Sequence, residues 1–547
     1  MKIPTGILLL TALSLVARAA DDTLPHLRRQ GTATQLVVDG QPLLVRGGEL
    51  GNSSGEADYL RPFWPKLKAM HLNGVVAPVY WDLIEPAEGR FDFASVDGLV
   101  GDARANDMKL VLLWFGSWKN SMSCYVPAWV KRDSARFPRS EDSTGRPLEI
   151  LSAFSAANRD TDARAFAALL KHVREIDGKA HTVVMVQVEN EIGMIPEARD
   201  RSPAAEQAFA AAVPAELTAY LADHADTLAP EVHEAWRAAG AKRAGTWTEV
   251  FGPGVATDEL FTAWSFARYV ETVTQAGKAE YPLPMYVNAA LIRPGHRPGQ
   301  YPSGGPLPHL IDLWRAGAPA IDFLAPDVYF QNYSEWARRY ARDGNAFFVP
   351  EVMRNSDASV RALYSFGGLG AMGFCPFGIE SIAEPAAGQL AESFDLVAQL
   401  APLIAEHQGR GTMAGLLPEG PEQRQPQQVW LGDTVIHVAF ERGRGPAVND
   451  GVVSGPSAAP ETPAGGLVIA TGPDEFLFAG TGITATFSQR TGEKFEVGLE
   501  SVEEGRFADG KWIHLRWLNG DETNQGRHMR IPAGHFGIQR VKLYRYR

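Results

Sequence analysis

An uninterrupted apolar strand that ends in acidic residues is the feature that most restricts how this chain can fold. Residues 183–192 read Val-Val-Met-Val-Gln-Val-Glu-Asn-Glu-Ile, and such a run is typical of a strand buried on both faces. A carboxylate just past a buried strand is costly unless its position serves a purpose. The C-terminal rim of a parallel β/α barrel is such a position, because active-site groups gather there. The apolar residues 346–350 deliver Glu351 in the same way, so the sequence predicts two rim carboxylates, Glu191 and Glu351.

The rest of the chain predicts an α/β fold, a (β/α)8 TIM barrel followed by an all-β, sandwich-like domain. Short apolar runs alternate with longer amphipathic stretches, which is the pattern of a β/α barrel, and we expect the barrel over residues 36–400. Short alternating segments separated by Gly- and Pro-rich turns replace this pattern over residues 408–547. Residues up to about 34 are expected to form an extended arm. The predicted barrel strands are 43–47, 74–79, 109–115, 183–188, 285–288, 323–328, 346–349 and 369–374.

Two carboxylates on one barrel rim are the residues needed to hydrolyse a glycosidic bond. One carboxyl protonates the leaving oxygen, and the second attacks the anomeric carbon or activates a water molecule. We assign the acid/base to Glu191, whose pKa should be raised by partial burial and by the nearby charge of Glu351. Glu351 is the predicted nucleophile, and Tyr329 is expected to hydrogen-bond to it and keep it ionised. Asn190 is expected to bind a sugar hydroxyl next to the reacting carbon.

Each of these residues also has a purely structural interpretation. A lone glutamate at a strand end is often a surface residue or a helix cap, and Tyr329 taken alone fits a core position. Glu189 shares a face with Glu191 if the strand is regular, and is expected to be a deeper buried acid. The conjunction of two strand-end carboxylates in one barrel is what favours catalysis.

A second motif follows the second predicted strand. Residues 80–93 read Tyr-Trp-Asp-Leu-Ile-Glu-Pro-Ala-Glu-Gly-Arg-Phe-Asp-Phe, which resembles the Trp-Asn-x-x-Glu-Pro-x-x-Gly-x-Phe-Asp-Phe motif of the β-galactosidases of glycoside hydrolase families 35 and 42. Residues 187–193, Gln-Val-Glu-Asn-Glu-Ile-Gly, resemble the family 35 acid/base motif Gln-x-Glu-Asn-Glu-Tyr-Gly. The resemblance implies a retaining, exo-acting β-galactosidase that needs no metal or organic cofactor. It assigns the acid/base to Glu191 by motif and the nucleophile to Glu351 by strand position.

The third strand departs from the family pattern. Many family 35 members carry Cys-Ala-Glu-Trp there, with a glutamate that helps to grip galactose. This chain has Asn120 where that glutamate would be, with Lys119 and Trp118 before it. We expect these residues, together with Tyr80 and the rim acid Glu49, to bind the sugar, although a solvated loop lysine and a packing tryptophan are the ordinary alternatives. By analogy with secreted bacterial members, galactosyl side chains of plant polysaccharides such as xyloglucan are the expected substrates.

Charge and the N-terminal sequence limit the partners and the location. The net charge of −12 argues against nucleic acid and anionic membranes, both of which favour basic surfaces. Lys2, an apolar run over residues 7–16 and an Ala-Arg-Ala site at 17–19 predict a cleavable signal peptide over residues 1–19 and a secreted or periplasmic bacterial protein. The histidines show no metal-ligand spacing, so no catalytic metal is expected. Cys124 and Cys375 leave one disulfide open as an alternative to free thiols, and the sequence does not give the oligomeric state.

Two other functions fit the same residues. The first is a different β-glycosidase or an endo-glycanase on the same barrel. The second is a non-catalytic carbohydrate-binding protein that keeps the barrel, although retention of both Glu191 and Glu351 disfavours it. Loss of turnover without loss of sugar affinity on replacing either glutamate separates an enzyme from a binding protein.

Overall fold

The computed structural model describes residues 24–418, 426–441, 462–490 and 495–547. The predicted signal peptide lies outside these residues. The strands are β1 (His26–Gln30), β2 (Ala33–Val38), β3 (Gln41–Leu43), β4 (Val45–Arg46), β5 (Gly74–Tyr80), β6 (Lys109–Lys119), β7 (Arg139–Glu141), β8 (Pro147–Leu151), β9 (Val183–Asn190), β10 (Met285–Ala290), β11 (Phe323–Val328), β12 (Val349–Val352), β13 (Gly373–Pro376), β14 (Met413–Leu416), β15 (Gln427–Leu431), β16 (Thr434–Phe440), β17 (Gly465–Gly472), β18 (Glu475–Thr481), β19 (Ile483–Gln489), β20 (Glu496–Ala508), β21 (Lys511–Leu518), β22 (Met529–Ile531) and β23 (Gly537–Tyr546).

The α-helices lie mostly between the barrel strands, as the alternating pattern predicts. The long helix that follows the third barrel strand begins at Ser155, whose side chain accepts a hydrogen bond from the Asn158 amide at 3.2 Å. The helices are α1 (Ala57–Leu60), α2 (Trp64–Ala69), α3 (Trp81–Ile84), α4 (Ala94–Ala105), α5 (Ala128–Arg132), α6 (Ala156–Asp177), α7 (Pro203–Ala210), α8 (Ala215–Asp223), α9 (Pro230–Ala238), α10 (Trp247–Phe251), α11 (Val255–Glu280), α12 (Ile311–Gly317), α13 (Tyr333–Tyr340), α14 (Asp357–Gly368) and α15 (Ala386–His407).

Eight parallel strands of the described chain form the predicted barrel, in the order β4-β13-β12-β11-β10-β9-β6-β5. The short first strand is extended by Glu49, which forms parallel bridges to both Val76 and Phe377 and so closes the ring. The TIM-barrel prediction is confirmed. The seventh and eighth strands begin a few residues later than the sequence indicates, at Val349 and Gly373, because the apolar residues before them enter the core as irregular backbone.

The N-terminal segment is an antiparallel sheet instead of the predicted extended arm. Strands β1, β2 and β3 pair in order, and the apolar side chains of Leu36 and Val38 pack against Val45, Val76 and Val184 inside the barrel. The polar appearance of the residues before 34 misled the prediction, because none of the residues of β1 is buried, whereas five of the six residues of β2 are. This sheet therefore closes the end of the barrel opposite the catalytic rim.

The insertion between β9 and β10 carries helices α7 to α11. Met194, just past the fourth barrel strand, bridges to Ser303, and Gly193 packs so closely on Pro302 that an added Cβ would lie 2.4 Å from its carbonyl carbon. The chain leaving Glu191 is therefore held against the segment that follows the fifth strand.

The C-terminal region forms two antiparallel sheets, β14-β17-β18-β23-β20-β21 and β15-β16-β19-β22. Their facing side chains, among them Ile436, Phe478 and Val541, form a core of their own. Barrel helix α14 packs directly on this domain, since an added Cβ on Gly367 would lie 2.4 Å from the Leu467 side chain. The all-β character predicted for this region is confirmed.

Two further observations concern the cysteines and the helices. Cys124 is exposed and Cys375 is buried, and both are free thiols, so the alternative of a disulfide between them is not realised. Within the described ranges, no helix is both long and apolar enough to cross a membrane.

Loss of Leu36 packing should destabilise the whole barrel, because this side chain is fully buried beneath its strands. We expect Leu36→Ala to lower the free energy of unfolding by about 2–5 kcal/mol, measured by denaturant titration. The matched control is Leu515→Ala, at a position that is 59% exposed, which should change it by less than about 0.5 kcal/mol. Equal effects of the two substitutions would contradict a plugging role for the N-terminal sheet.

Candidate active site

Strand ends of the barrel bring together the two predicted catalytic carboxylates. Glu191 directly follows β9 and Glu351 lies in β12, and Asp327 of β11 is paired in register with Glu351. One carboxylate oxygen from each of Glu191, Asp327 and Glu351 lies within 4.8 Å of the others. All three residues are at least 95% buried. The site is therefore a compact carboxyl cluster at the C-terminal ends of the strands.

Glu351 is held as a hydrogen-bond acceptor. The Tyr329 hydroxyl donates to its Oε2 at 2.5 Å, as the sequence predicts. Its Oε1 has no hydrogen-bond partner among the described residues. A carboxylate with one oxygen fixed and the other available is suited to attack an electrophilic carbon.

Glu191 has the environment expected of an acid/base. Burial and then the charge of Glu351 raise its pKa to about 7, while Lys119 and hydrogen bonds to Asp327 and Asn120 oppose the rise. The Asn288 side chain accepts a hydrogen bond from the Glu191 amide at 2.9 Å. A carboxyl with a pKa near neutrality can both donate and accept a proton at physiological pH.

Glu49 adds a fourth buried carboxyl to the cluster. Burial, the charge of Glu351 and a hydrogen bond shared with Glu351 raise its pKa well above the usual range, with Lys119 opposing, and neither of its oxygens accepts from an N–H or hydroxyl donor among the described residues. Burial, Glu351 and Glu191 raise the pKa of Asp327 in the same way. The cluster therefore holds part of its protons at neutral pH, because several buried carboxylates cannot all ionise beside one lysine.

Two successive hydrogen bonds link Lys119, through Asn120, to the acid/base Glu191. The Lys119 ammonium donates to the Asn120 side-chain oxygen, and the Asn120 amide donates to Glu191 Oε2.

The Asn190 amide is fully buried, and neither its oxygen nor its nitrogen has a partner among the described residues. Such an amide is ready to exchange hydrogen bonds with a bound hydroxyl group.

Two predicted sugar-binding residues have other roles. Trp118 is fully buried, packs on Phe266 and Tyr269, and donates its indole N–H to the Leu151 carbonyl at 3.2 Å. It is therefore a packing residue, and its predicted contact with sugar is wrong. The Tyr80 hydroxyl accepts a hydrogen bond from the Gly55 amide at 3.0 Å, so this side chain serves the first barrel loop.

Sequence reasoning missed Asp327, Asn288 and Tyr286. Asn288 donates to Asp327 at 2.7 Å, and burial, followed by nearby charges that include Glu49, Asp327 and Glu351, raises the pKa of Tyr286. A polar residue in an otherwise apolar strand was the available signal for Asp327 and Asn288. Glu191 stands out by a different rule, because it directly follows an apolar strand.

The backbone at the site adopts sparsely populated conformations. Four residues other than glycine have left-handed φ values here, namely Asn120 (48°), Ser121 (71°), Glu189 (62°) and Glu191 (45°). Each conformation of this kind costs about 1–3 kcal/mol. The left-handed residues at the end of β9 interrupt the regular alternation of side chains between the two faces of the strand. Glu189 and Glu191 therefore point into different environments.

The Trp-Asp-x-x-Glu-Pro motif supports the rim structurally. The buried Glu85 carboxylate accepts from Trp81 Nε1 and from the Gly89 amide, both at 2.8 Å, and pairs with Arg164 at 3.3 Å. The motif therefore fixes a turn and a buried indole.

The oxygens of Glu191, Asp327 and Glu351 are also close enough to ligate a hard cation, whereas the sequence predicts no catalytic metal.

Comparison with known proteins finds a family model that matches the first part of the barrel. The glycoside hydrolase family 42 model described as "Beta-galactosidase" matches residues 63–275, which include Glu191. These residues are similar to the β-galactosidase family domain. The resemblance to β-galactosidases is confirmed at this level. A second family model, described as a domain of unknown function (DUF5597), matches residues 390–530.

Individual relatives carry the same description. A β-galactosidase of Xanthomonas manihotis is 31% identical over 195 residues, covering 34% of this chain and 30% of that protein. β-Galactosidase 7 of Oryza sativa subsp. japonica is 33% identical over 95 residues, or 16% of this chain and 12% of that protein. The matched part of the chain thus spans less than a third of each relative. Solved β-galactosidase structures from Rahnella sp. R3 and Bacillus circulans sp. alkalophilus are 16% and 15% identical, each with a TM-score of 0.45 and covering 66% of this chain and 57% of that chain.

Tyr329→Phe removes only the hydroxyl that donates to Glu351. Because a hydrogen bond to a charged group contributes about 1.5–3 kcal/mol, we expect kcat on an aryl β-galactoside to fall about 10- to 150-fold. Tyr333→Phe is the matched control, since that hydroxyl pairs with Ser365 and should leave kcat unchanged. A Tyr329→Phe enzyme as active as the control would contradict the proposed contact.

Proposed function

We propose that this protein is a retaining, exo-acting β-galactosidase that uses Glu351 as nucleophile and Glu191 as acid/base. The observation that carries the proposal is the approach of these carboxyl groups, since one oxygen of Glu191 and one oxygen of Glu351 lie within 4.8 Å of each other. Carboxyl groups about 5–5.5 Å apart are typical of retaining glycosidases, whereas inverting enzymes separate them by about 6.5–9.5 Å to admit water.

The first chemical step forms a covalent glycosyl-enzyme. Glu351 attacks the anomeric carbon as the bond to the leaving oxygen breaks, and Glu191 gives its proton to that oxygen. Tyr329 holds the attacking carboxylate through Oε2, which leaves Oε1 for the new bond. Asn190 is the proposed partner of the sugar hydroxyl beside the reacting carbon.

The second step depends on the charge of Glu351. Once Glu351 is esterified it is neutral, and the repulsion that helps to raise the pKa of Glu191 is gone. The pKa of Glu191 then falls, so its carboxylate accepts a proton from the water that releases the sugar. One residue can therefore serve as acid and then as base.

The choice of galactose rests on the similarity of residues 63–275 to the β-galactosidase family model and on the motif at residues 187–193, which resembles the family 35 motif. Lys119 and Glu49 are the proposed polar contacts to sugar hydroxyls, in place of the glutamate that many family 35 members carry. Export by the signal peptide at residues 1–19 is part of the proposal, and galactosyl side chains of oligo- or polysaccharides, such as those of xyloglucan, are the proposed substrates.

A panel of aryl glycosides tests the class, the sugar and the nucleophile together. Purified protein should hydrolyse the aryl β-galactoside and release β-galactose as the first anomer seen by proton NMR, in the presence of a chelator. Glu351→Gln should abolish turnover. Glu88→Gln is the matched control, because that carboxylate is a partly exposed surface group paired with Arg136, and it should retain full activity.

Each other outcome of the panel selects an alternative. Turnover of a different β-glycoside would keep the mechanism and refute galactose. Internal cleavage of a polysaccharide without monosaccharide release would indicate an endo-glycanase. Sugar binding by the wild type and Glu351→Gln alike, with no turnover by either, would indicate a binding protein.

The pH dependence of kcat/KM should reveal the ionisation of Glu191. Its pKa is raised to about 7, and it must be protonated to assist departure of the leaving group. We therefore expect kcat/KM for a substrate with a poor leaving group to be maximal below this value and to fall about tenfold per pH unit above it. The Glu191→Gln enzyme should lose about 10²–10⁴-fold in rate and lack this alkaline limb. An identical limb in the variant would assign the ionisation to another group.

A further inference from the structure

A second buried acidic pair lies behind the catalytic rim. Glu189 of β9 and Asp162 of α6 are both fully buried, and their carboxyl groups are within hydrogen-bonding distance of each other. The proposed reaction uses neither residue. The pair lies between the barrel strands and the helices outside them, since Ser117 of β6 and Tyr269 of α11 complete the network.

Asp162 is surrounded by donors. Its Oδ1 accepts from Trp114 Nε1 at 3.0 Å, and its Oδ2 accepts from the Ser117 amide at 3.2 Å and the Ser117 hydroxyl at 2.6 Å. The Tyr269 hydroxyl is 3.4 Å from the same oxygen. A carboxyl that accepts this many hydrogen bonds is stabilised in its ionised form.

Glu189 has fewer donors. Its Oε2 accepts from the Trp118 amide at 2.7 Å, the Ser117 amide also hydrogen-bonds to its carboxyl, and the Asp162 carboxyl lies within hydrogen-bonding reach of it. Within the described ranges, no lysine, arginine or histidine pairs with either acid. Two carboxylates in contact without a cation in a dry interior cannot both be charged.

We propose that Glu189 is a protonated, neutral positioning residue for the acid/base. Its hydroxyl donates to Asp162 while its other oxygen accepts from the Trp118 amide. This fixes the backbone that leads into Lys119 and Asn120, the two side chains that reach Glu191. Glu189 also lies two residues before Glu191 in a stretch with left-handed φ at both residues. Burial and the charge of Asp162 raise the pKa of Glu189 well above its usual range, which agrees with this assignment.

The inference rests on the proposed glycosidase function and predicts a specific kinetic defect. If Glu189 acts through Glu191, its loss should impair proton donation to the leaving group more than any other step. In Glu189→Leu, kcat/KM for a β-galactoside with a poor, alkyl leaving group should fall about 10²-fold or more. For a dinitrophenyl β-galactoside, which departs without a proton, the fall should be under about threefold. Glu189→Gln should rescue most of the loss, because glutamine copies both hydrogen bonds of a protonated glutamate.

Glu259→Leu is the matched control. Glu259 is equally buried but binds Tyr301 and His309, away from Glu191. Its replacement should affect both substrates equally. A loss in Glu189→Leu that is the same for the two substrates, or a Glu189→Gln enzyme no better than the leucine variant, would overturn the inference.

Infrared difference spectroscopy tests the protonation state without any turnover. At neutral pH the spectrum of the wild type minus Glu189→Gln should contain the C=O band of a protonated carboxyl. Only ionised carboxylate bands in that difference would refute a neutral Glu189. An inactive wild type would refute the glycosidase proposal, whereas an active wild type with the ionised bands would refute this inference alone.

Discussion

The repulsion among buried carboxyl groups at the C-terminal end of the barrel is the interaction on which the rest of the site depends. Glu49, Glu191, Asp327 and Glu351 are almost completely buried, and Lys119 is the cation that lowers the pKa of the first two. In a low-dielectric interior, like charges this close raise each other's pKa strongly. Tyr329 donates to Glu351 and Asn288 donates to Asp327, so hydrogen-bond donors fix the orientation of these two carboxyl groups.

A cluster of this kind is held only by a rigid scaffold. Tyr286 stacks on Phe323 at 4.9 Å and packs on Phe348 inside the barrel, and the N-terminal sheet closes the opposite end with Leu36 and Val38. The close-packed interior offsets the cost of the left-handed residues around Glu191, which would relax in a looser structure. The packing of the barrel interior therefore supports the strained backbone and the buried carboxyl groups at the C-terminal ends of the strands.

The sequence predicts the barrel well because strands buried on both faces are continuous apolar runs, and the residues that end them are conspicuous. Glu191, Glu351 and the Tyr329 contact were predicted in this way. A search for charges just past a strand end does not find Asp327 and Asn288, because both lie within apolar strands. Trp118 was assigned to sugar because an aromatic residue beside a polar loop gives no sign of which way its ring faces. The left-handed turn at Glu189, which separates two acids expected on one face, depends on tertiary packing and has no local sequence signal.

The balance of charges at the site also gives a physical reason for the difference from the family 35 motif after the third strand. Many family 35 members have a glutamate where this chain has Asn120. Another carboxylate there would add negative charge beside Glu191, whose pKa burial and Glu351 already raise to about 7. Such a charge would raise the pKa of Glu191 further. Instead, Asn120 donates to Glu191 and Lys119 lowers its pKa. In the proposed reaction, the Lys119–Asn120 pair therefore keeps the acid/base near neutrality, where a change of one charge on Glu351 is enough to reverse the direction of proton transfer.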